Sequence, residues 1–441
     1  MKLFYALIIL IFFQNCSFDN KTGIWKNENI KIKKNDDIFK EFKKISKSSD
    51  SFNKIIPVKK KFTFRINSPT STSEWKDIFY NKNNNYDNFK YNNLNKKVFK
   101  SKKLSKHEVN DFLLFEDGNL IINDIKGNII TFSINENRII NNFNFYKKKY
   151  KKVQKLLNLI VEDNIIYVSD NIGYLYALNY KTNKILWAKN YKIPFSSNLK
   201  LTKNSIIASN QNNSLFFFNK KNGEILKIIP TEEVIVKNKF LNNLSLSQNS
   251  LFYLNAYGSL YSIDIKNFKI NWFINLNQSI QTDVGNLFSA SPIINNSSRI
   301  VISSNLSTFI IDSDTGEIIA KKNFSASVRP IIQNNYAFLI TKENLIISIN
   351  LINGDIIYSY DINEQIAQFL KIKKDKAHFK SLMFANNKIL VFLNNSYILN
   401  LENIGQLHKI NKLPKSIKSQ PIFISDSILY LTNKKKLIIL D

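Results

Sequence analysis

One short segment near the middle of the chain limits the possible folds more than any other. It begins with the compact apolar run Gly173-Tyr-Leu-Tyr-Ala-Leu-Asn179, continues through a polar turn, and ends on the apolar run that closes with Trp187. The pattern predicts two short strands joined by a turn. A single hairpin cannot bury enough apolar surface to be stable in water. The segment must therefore belong to a larger β-structure.

The segment recurs along the chain at intervals of 38 to 50 residues. In each copy a polar residue closes the first strand, and Gly or Asn usually follows four residues later, where a left-handed turn is expected. In the seventh copy Gly405 comes one place late, which indicates a shifted turn. The closing polar residues are Ser133, Asn179, Asn219, Asp264, Asp312, Asn350, Asn400 and Asp441.

A further apolar strand precedes each hairpin, as in residues 164–169. A period of about 40 to 50 residues with about four short strands per unit is typical of a β-propeller. Helical periodicity is weak, and β-branched and aromatic residues are abundant. The sequence therefore predicts an all-β, eight-bladed β-propeller of four-stranded antiparallel blades. A stacked solenoid is the alternative.

The last copy stops at its closing residue, Asp441, so its outermost strand is missing. We predict that an N-terminal strand, around Lys96 to Lys102, takes this place and closes the ring. Closure removes exposed sheet edges, which otherwise promote aggregation. A solenoid would need no such strand.

Residues 1–16 have the pattern of an export signal. Lys2 is followed by an apolar run, Leu3 to Phe13, which is too short to cross a bilayer. The run ends near Cys16, the only cysteine of the chain, and such an arrangement resembles a bacterial lipoprotein signal, whose cysteine is acylated. In the lipoproteins that carry the similar signal, the residue after the cysteine directs sorting, and Ser17 at that position implies the outer membrane. The three residues before the cysteine depart from the usual pattern, and an ordinary secretory signal is the alternative.

Residues 17–95 are rich in Lys, Asn and Ser and carry little of the repeat pattern. Such a composition buries too little apolar surface to fold alone, so we predict a mostly disordered tether. Trp25 and Trp75 are the exceptions, as candidates to dock on the ring or on a partner. The propeller is predicted to occupy residues 96–441.

The longer connections between blades are where binding is expected, because loops on a rigid scaffold usually carry function. Residues 277–292 are favoured among them for docking a partner on length alone, although a plain connector explains them better. The longer connections are residues 141–155, 231–242, 277–292 and 363–380.

The formal net charge of +29 raises the possibility of nucleic-acid binding. Only four of the 63 basic residues are Arg, however, and readers of phosphates and bases favour the arginine fork. We therefore predict no nucleic-acid partner. Attraction to acidic partners or anionic lipid surfaces stays open.

No catalytic chemistry is apparent in the sequence. His107, His378 and His408 are far apart and have no metal-ligand spacing. No nucleophile elbow or phosphate-binding glycine loop is present. We therefore predict no catalytic residue, no metal and no cofactor. Trp187 and Trp272 recur at one repeat position and are predicted to pack blades together.

The repeat resembles the PQQ-type propeller repeat over about residues 110–441. Residues 173–187 and 258–272 match its consensus closely, and residues 312–316 match its turn. PQQ-dependent alcohol dehydrogenases share the repeat, but they use a quinone, an acidic metal-binding set and often a Cys pair. This ring has no Cys and no recognisable acidic set.

The chain is more similar to the BamB-like lipoproteins of the outer-membrane β-barrel assembly (Bam) machinery. These combine a lipoprotein signal, a tether and an eight-bladed ring without the quinone, and Ser73-Glu-Trp75 resembles the lead-in of some members. The resemblance implies a non-enzymatic scaffold, lipid-anchored through Cys16 on the periplasmic face of the outer membrane of a Gram-negative bacterium.

By the same resemblance the protein binds the periplasmic part of the BamA-like barrel-inserting subunit. It assists delivery of unfolded outer-membrane proteins, as a monomer within a hetero-complex. The alternatives are a PQQ-dependent alcohol or sugar oxidoreductase and a stand-alone ligand-binding periplasmic propeller.

Overall fold

The computed structural model describes residues 16–18, 25–27, 52–146, 150–233, 241–277 and 288–441. The chain divides into two compact units, residues 1–50 and 51–441. In the first unit, β1 (Cys16–Phe18) pairs antiparallel with β2 (Trp25–Asn27).

The second unit is a ring of eight sheets, and each sheet is one blade of four antiparallel strands. The first strands of neighbouring blades contact each other, so they line the central channel. Two strands precede the repeats: β3 (Asn88–Phe89) and β4 (Lys97–Lys103). The predicted eight-bladed, all-β propeller is therefore confirmed.

The blades follow one another in chain order. Blade 1 contains β5 (Leu114–Glu116), β6 (Asn119–Asn123), β7 (Asn128–Ser133) and β8 (Arg138–Asn144). Blade 2 contains β9 (Leu157–Glu162), β10 (Ile165–Asp170), β11 (Tyr174–Asn179) and β12 (Lys184–Asn190). Blade 3 contains β13 (Lys200–Leu201), β14 (Ser205–Ser209), β15 (Leu215–Asn219) and β16 (Ile225–Ile229). Blade 4 contains β17 (Asn243–Leu246), β18 (Ser250–Leu254), β19 (Ser259–Asp264) and β20 (Ile270–Asn275).

The second half of the ring repeats this arrangement, with additions at blades 7 and 8. Blade 5 contains β21 (Ile294–Asn295), β22 (Arg299–Ser303), β23 (Thr308–Asp312) and β24 (Ile318–Lys322). Blade 6 contains β25 (Ile331–Gln333), β26 (Tyr336–Ile340), β27 (Leu345–Asn350) and β28 (Ile356–Asp361). Blade 7 contains β29 (Phe379–Ala385), β30 (Lys388–Leu393), β31 (Tyr397–Glu402) and β32 (Leu407–Lys412), and β3 adds to it in parallel beside β29. Blade 8 contains β33 (Ile422–Ile424), β34 (Ser427–Leu431) and β35 (Lys436–Leu440).

The predicted closing strand is confirmed. Strand β4 pairs antiparallel with β35 and supplies the outermost strand of blade 8. The backbone N–H of Asp441 donates to the Lys96 carbonyl at 3.0 Å, and the N–H of Lys96 donates back at 3.1 Å. The N-terminal strand and the last repeat thus close the ring together.

A helix, α1 (Ile362–Leu370), connects blades 6 and 7. The Asp361 carboxylate caps its start by accepting the Glu364 N–H at 3.1 Å, and Lys371 ends it in a left-handed conformation. Within the described residues, no helix has the length and apolar character needed to cross a membrane.

The polar residues that close the third strands stabilise the turns that follow. The Oδ1 atom of Asp264 accepts the backbone N–H groups of Asn267 and Lys266, both at 2.8 Å. These hydrogen bonds hold the pKa of the Asp264 carboxylate below its ordinary value. A short polar side chain is needed at this position because it replaces the hydrogen bonds that the strand no longer makes.

The predicted closing residue of blade 7 was wrong by two positions. Strand β31 continues past Asn400 to Glu402, whose N–H donates to the Gln406 carbonyl at 2.9 Å. The turn is one residue shorter than in blade 6, where the N–H of Asn350 donates to the Asp355 carbonyl at 2.8 Å. This shorter turn explains the displaced glycine in the seventh copy.

The predicted blade-packing role of the recurring tryptophans is confirmed. The Nε1 atom of Trp187 donates to the Lys220 carbonyl of blade 3 at 2.9 Å, and its ring covers Gly223. A Cβ atom on Gly223 would lie only 2.5 Å from that ring. Trp272 makes the same contact between blades 4 and 5, where its Nε1 atom donates to the Ser313 carbonyl at 3.2 Å. Each tryptophan therefore joins its blade to the turn of the following blade.

Residues 52–95 differ from the disordered tether that the composition predicted, because they are packed on the ring. Trp75 is 1% exposed and Phe89 is fully buried, with its ring stacked on Phe423 of blade 8 at 4.8 Å. The docking expected of Trp75 is thus confirmed, whereas the side chain of Trp25 lies outside the described part. The segment needs no core of its own, since its aromatic residues enter the core of the propeller.

Candidate functional site

The segment formed by residues 72–92, here called the collar, circles the central channel and contacts every blade. Its hydrogen bonds reach the ends of the first strands, so it fills one end of the channel. In chain order these contacts join Thr72 to Ser425 of blade 8, Trp75 to Phe115 of blade 1, Lys76 to Val161 of blade 2, Asp77 to Lys200 of blade 3, Lys82 to Leu246 of blade 4, Asn83 to Asn295 of blade 5, Asn85 to Ile332 of blade 6, Phe89 to Asn386 of blade 7, and Asn92 to Asp426 of blade 8.

A buried ion pair fixes the collar to blade 3. The Nζ atom of Lys200 lies 2.6 Å from Oδ2 of Asp77, and the Lys200 side chain is fully buried. Nζ also donates to the Asn81 carbonyl at 3.1 Å and to Oδ1 of Asn84. All three ammonium protons therefore have acceptors within the collar. Burial lowers the pKa of Lys200, and the Asp77 carboxylate opposes this shift.

Consecutive asparagines of the collar connect blades 4, 5 and 6. The Nδ2 atom of Asn84 donates to the carbonyls of Leu244 and Ile293, both at 2.8 Å. The amide of Asn85 donates to the Ile332 carbonyl and accepts the Ile332 N–H, each at 2.8 Å. An asparagine run that resembled low-complexity sequence is therefore a set of cross-links between blades.

A stacked guanidinium holds the middle of the collar. Arg329 of blade 6 lies 3.9 Å from the ring centroid of Tyr86 and 5.0 Å from that of Phe79. It also donates to the Phe79 carbonyl at 3.2 Å. Cation–π contacts of this kind gain strength when they are removed from water. Burial lowers the pKa of Arg329.

A cavity of about 820 Å³, here called the funnel, lies in the channel beyond the collar, where the first strands begin. Collar residues Ile78 and Phe79 form part of its wall, together with Phe112 and Phe195. Among the described residues that line it, no side chain carries a charge. Its polar wall consists mainly of amides, from Asn110, Asn123, Asn158, Asn171, Asn198, Gln211, Asn242 and Asn243. A second cavity of about 380 Å³ shares Phe79 and Phe112 with the funnel and includes Arg329 and Lys380.

The donor set of the funnel does not fit the calcium ion that a quinone-dependent dehydrogenase would need. Carboxylate oxygens are the usual ligands of calcium, and the described lining offers none. Across the described part of the chain, no three His, Cys, Asp or Glu residues come together as a metal site. The three histidines lie apart: His107 before blade 1, His378 before β29, and His408 in β32, 3.7 Å from Glu402.

Two further predicted sites fall largely outside the described residues. The backbone of Cys16 lies in β1, but its side chain and residues 1–15 are not described, so its lipidation stays a prediction. Of the predicted docking connection, residues 278–287 lie outside the description. Its last part is described, and Ser289, Ala290 and Pro292 line the funnel.

The ring and its repeats define a class, the eight-bladed propellers of the PQQ type. Residues 148–360 match the family model described as outer membrane protein assembly factor BamB. This part of the ring is therefore similar to the BamB family, and the resemblance predicted from the sequence is confirmed over these residues. No curated protein matches the chain in sequence.

Solved structures share the fold at low sequence identity. BamB from Moraxella catarrhalis is 10% identical, with a TM-score of 0.60 over 78% of this chain and 99% of that chain. Quinohemoprotein alcohol dehydrogenase from Comamonas testosteroni is 10% identical, with a TM-score of 0.62 over 84% of this chain and 81% of that chain. A europium-containing methanol dehydrogenase is 9% identical, with a TM-score of 0.60 over 83% and 89%. These similarities establish the fold and leave function to the site.

Proposed function

We propose that this protein is a non-enzymatic scaffold of the machinery that assembles β-barrel proteins in the outer membrane. In this role it binds the periplasmic part of the barrel-inserting subunit and assists delivery of unfolded outer-membrane proteins. The observation that carries the proposal is the match of residues 148–360 to the BamB family model. A rigid ring suits this role because it presents loops and blade edges in fixed positions.

The proposed location is the periplasmic face of the outer membrane, with a lipid anchor on Cys16. The export pattern of residues 1–16 and the single cysteine at its end support this anchor. Acyl chains attach a protein to a membrane without any spanning helix. Residues 17–51 then connect the anchor to the packed part of the chain.

The amide-lined funnel supports the non-enzymatic role, since its described lining supplies no carboxylate for a calcium ion. The dehydrogenases among the similar structures share the fold with this chain, and fold alone does not carry their activity over. Quinone chemistry is therefore the alternative that the experiment must distinguish.

The test is an affinity pull-down of the full chain from detergent-solubilised membranes, followed by mass spectrometry. We expect the barrel-inserting subunit to be recovered. The Cys16→Ala variant is the control for the anchor, and we expect it to lose membrane attachment and recover less of the subunit. Absence of any barrel-assembly subunit, together with dye-linked oxidation of alcohols after addition of quinone and Ca²⁺, would replace the scaffold by the oxidoreductase.

A further inference from the structure

We propose that the funnel is a receptor for an extended, uncharged polypeptide segment supplied by another protein. This inference deepens the proposed function and rests on it, because an unfolded outer-membrane protein is a natural source of such segments. Peptide binding can nevertheless be measured without any other component of the machinery.

The collar is a precedent for this recognition within the same channel. Trp75 and Phe115 exchange two backbone hydrogen bonds, at 2.7 and 2.8 Å, so an extended segment pairs with the free edge of a first strand. Asn85 adds a two-way amide contact to the backbone of Ile332. The inner edges of the blades therefore bind an extended polypeptide through backbone groups and amides at one end of the channel.

The funnel offers the same chemistry at the other end. Amide side chains both donate and accept hydrogen bonds, as peptide groups do. Of the eight that line the cavity, Asn171 and Asn198 use both amide atoms on backbone groups, whereas the amides of Asn123 and Asn158 make no side-chain hydrogen bond among the described residues. The rings of Phe79, Phe112 and Phe195 provide apolar surface for side chains. A charged segment would lose its hydration without gaining a counter-charge from the described lining, so an uncharged one is favoured.

The size of the funnel suits a segment of a few residues. Its volume of about 820 Å³ lies within the range of about 300–1,000 Å³ typical of pockets that enclose small ligands. A neutral oligosaccharide could use the same amides and rings. The collar, however, shows that this channel pairs with a peptide backbone, and it gives no comparable example for a sugar. The peptide is therefore the favoured occupant.

The experiment measures binding of a fluorescently labelled peptide of alternating Asn and Val to the full chain in detergent, by fluorescence anisotropy. We expect saturable binding, at least about tenfold weaker binding of a peptide with Pro at alternate positions, which lacks those N–H donors, and no competition by a chito-oligosaccharide. No saturable binding, equal binding of the Pro peptide, or binding of the sugar in place of the peptide would overturn the proposal.

Two variants locate the site. Asn158→Trp fills the funnel and should weaken peptide binding at least about tenfold, whereas Asn267→Trp, on an exposed turn at the opposite face, should leave it unchanged. Melting curves check that each variant is folded. Equal binding by both variants would place the peptide elsewhere and refute the inference.

The two proposals can fail separately. A chain that recovers the barrel-inserting subunit but binds no peptide retains the scaffold function and loses the receptor. A chain that binds the peptide in the funnel but recovers no assembly subunit retains the receptor and loses the scaffold function.

Discussion

Breaking the buried ion pair between collar and ring should strongly destabilise the protein. In Lys200→Met, the Asp77 carboxylate keeps the Phe79 N–H at 2.8 Å but loses its counter-charge while it is 5% exposed. The Asn81 carbonyl and Oδ1 of Asn84 lose a donor as well. Removing one member of a buried pair costs about 3–5 kcal/mol, because the remaining charge is left uncompensated.

The chain provides a matched control for this variant. Lys181 and Asp117 form an ion pair of the same length, 2.6 Å, but their side chains are 47% and 62% exposed. Exposed pairs contribute little because water solvates both charges. We therefore expect Lys181→Met to unfold with essentially the wild-type midpoint.

The assay is equilibrium unfolding in urea, followed by tryptophan fluorescence, with Trp75 as a reporter in the collar. The double variant Lys200→Met/Asp77→Leu removes both charges and should recover most of the loss, since apolar replacements of a buried pair are often tolerated. If Lys200→Met cost less than about 1 kcal/mol, or no more than Lys181→Met, the ion pair would not hold the collar and the reasoning would be refuted.

Three further perturbations test the turns, a buried carboxylate and the closure. Gly223→Ala should cost more than the roughly 1–2 kcal/mol of a left-handed alanine, because its Cβ would also lie 2.5 Å from the Trp187 ring. Gly118→Ala, whose nearest contact would be at 3.4 Å, should show the conformational cost alone. The midpoints of urea unfolding compare the two variants. Burial raises the pKa of Asp170, so the folded state binds its proton more tightly and the charged carboxylate destabilises the fold above that pKa. Asp170→Asn should therefore raise the melting temperature at neutral pH, and this gain should vanish as the pH falls below about 3.8. An equal gain at both pH values would contradict the prediction. Replacing residues 94–104 by a Gly/Ser linker of equal length should lower the stability of the whole ring, and an unchanged melting temperature would show that β4 does not close it.

The repeat was predictable because its chemistry is local. A polar residue such as Asp264 stabilises the turn within three residues of itself, so its position in the sequence marks the end of a strand. In blade 7, the pattern predicts Asn400 as the closing residue, although the strand continues to Glu402. The sequence does not show which backbone groups an asparagine bonds to, so Asn400 could not be told from a true closing residue. The error was therefore confined to one turn and left the number of blades unchanged.

The collar and the funnel were not predictable from such patterns. Asn84 and Asn85 bond to backbone groups 160 and 247 residues away, and no local spacing encodes those partners. Only Trp75 indicated that the segment docks, because a large aromatic residue in a polar stretch needs a place to be buried. The amides of the funnel are likewise scattered over four blades, where each alone looks like an ordinary loop residue.

The collar also changes how this repeat protein should behave as a whole. In an open array each repeat contacts only its neighbours, so unfolding can start at any end and spread. Here residues 72–92 contact all eight blades, and a few residues later the same chain becomes β4, which completes blade 8. No blade can therefore separate from the ring without releasing a segment that the other blades also hold. This shared partner makes the ring one cooperative unit, and a rigid unit suits the scaffold role proposed for it.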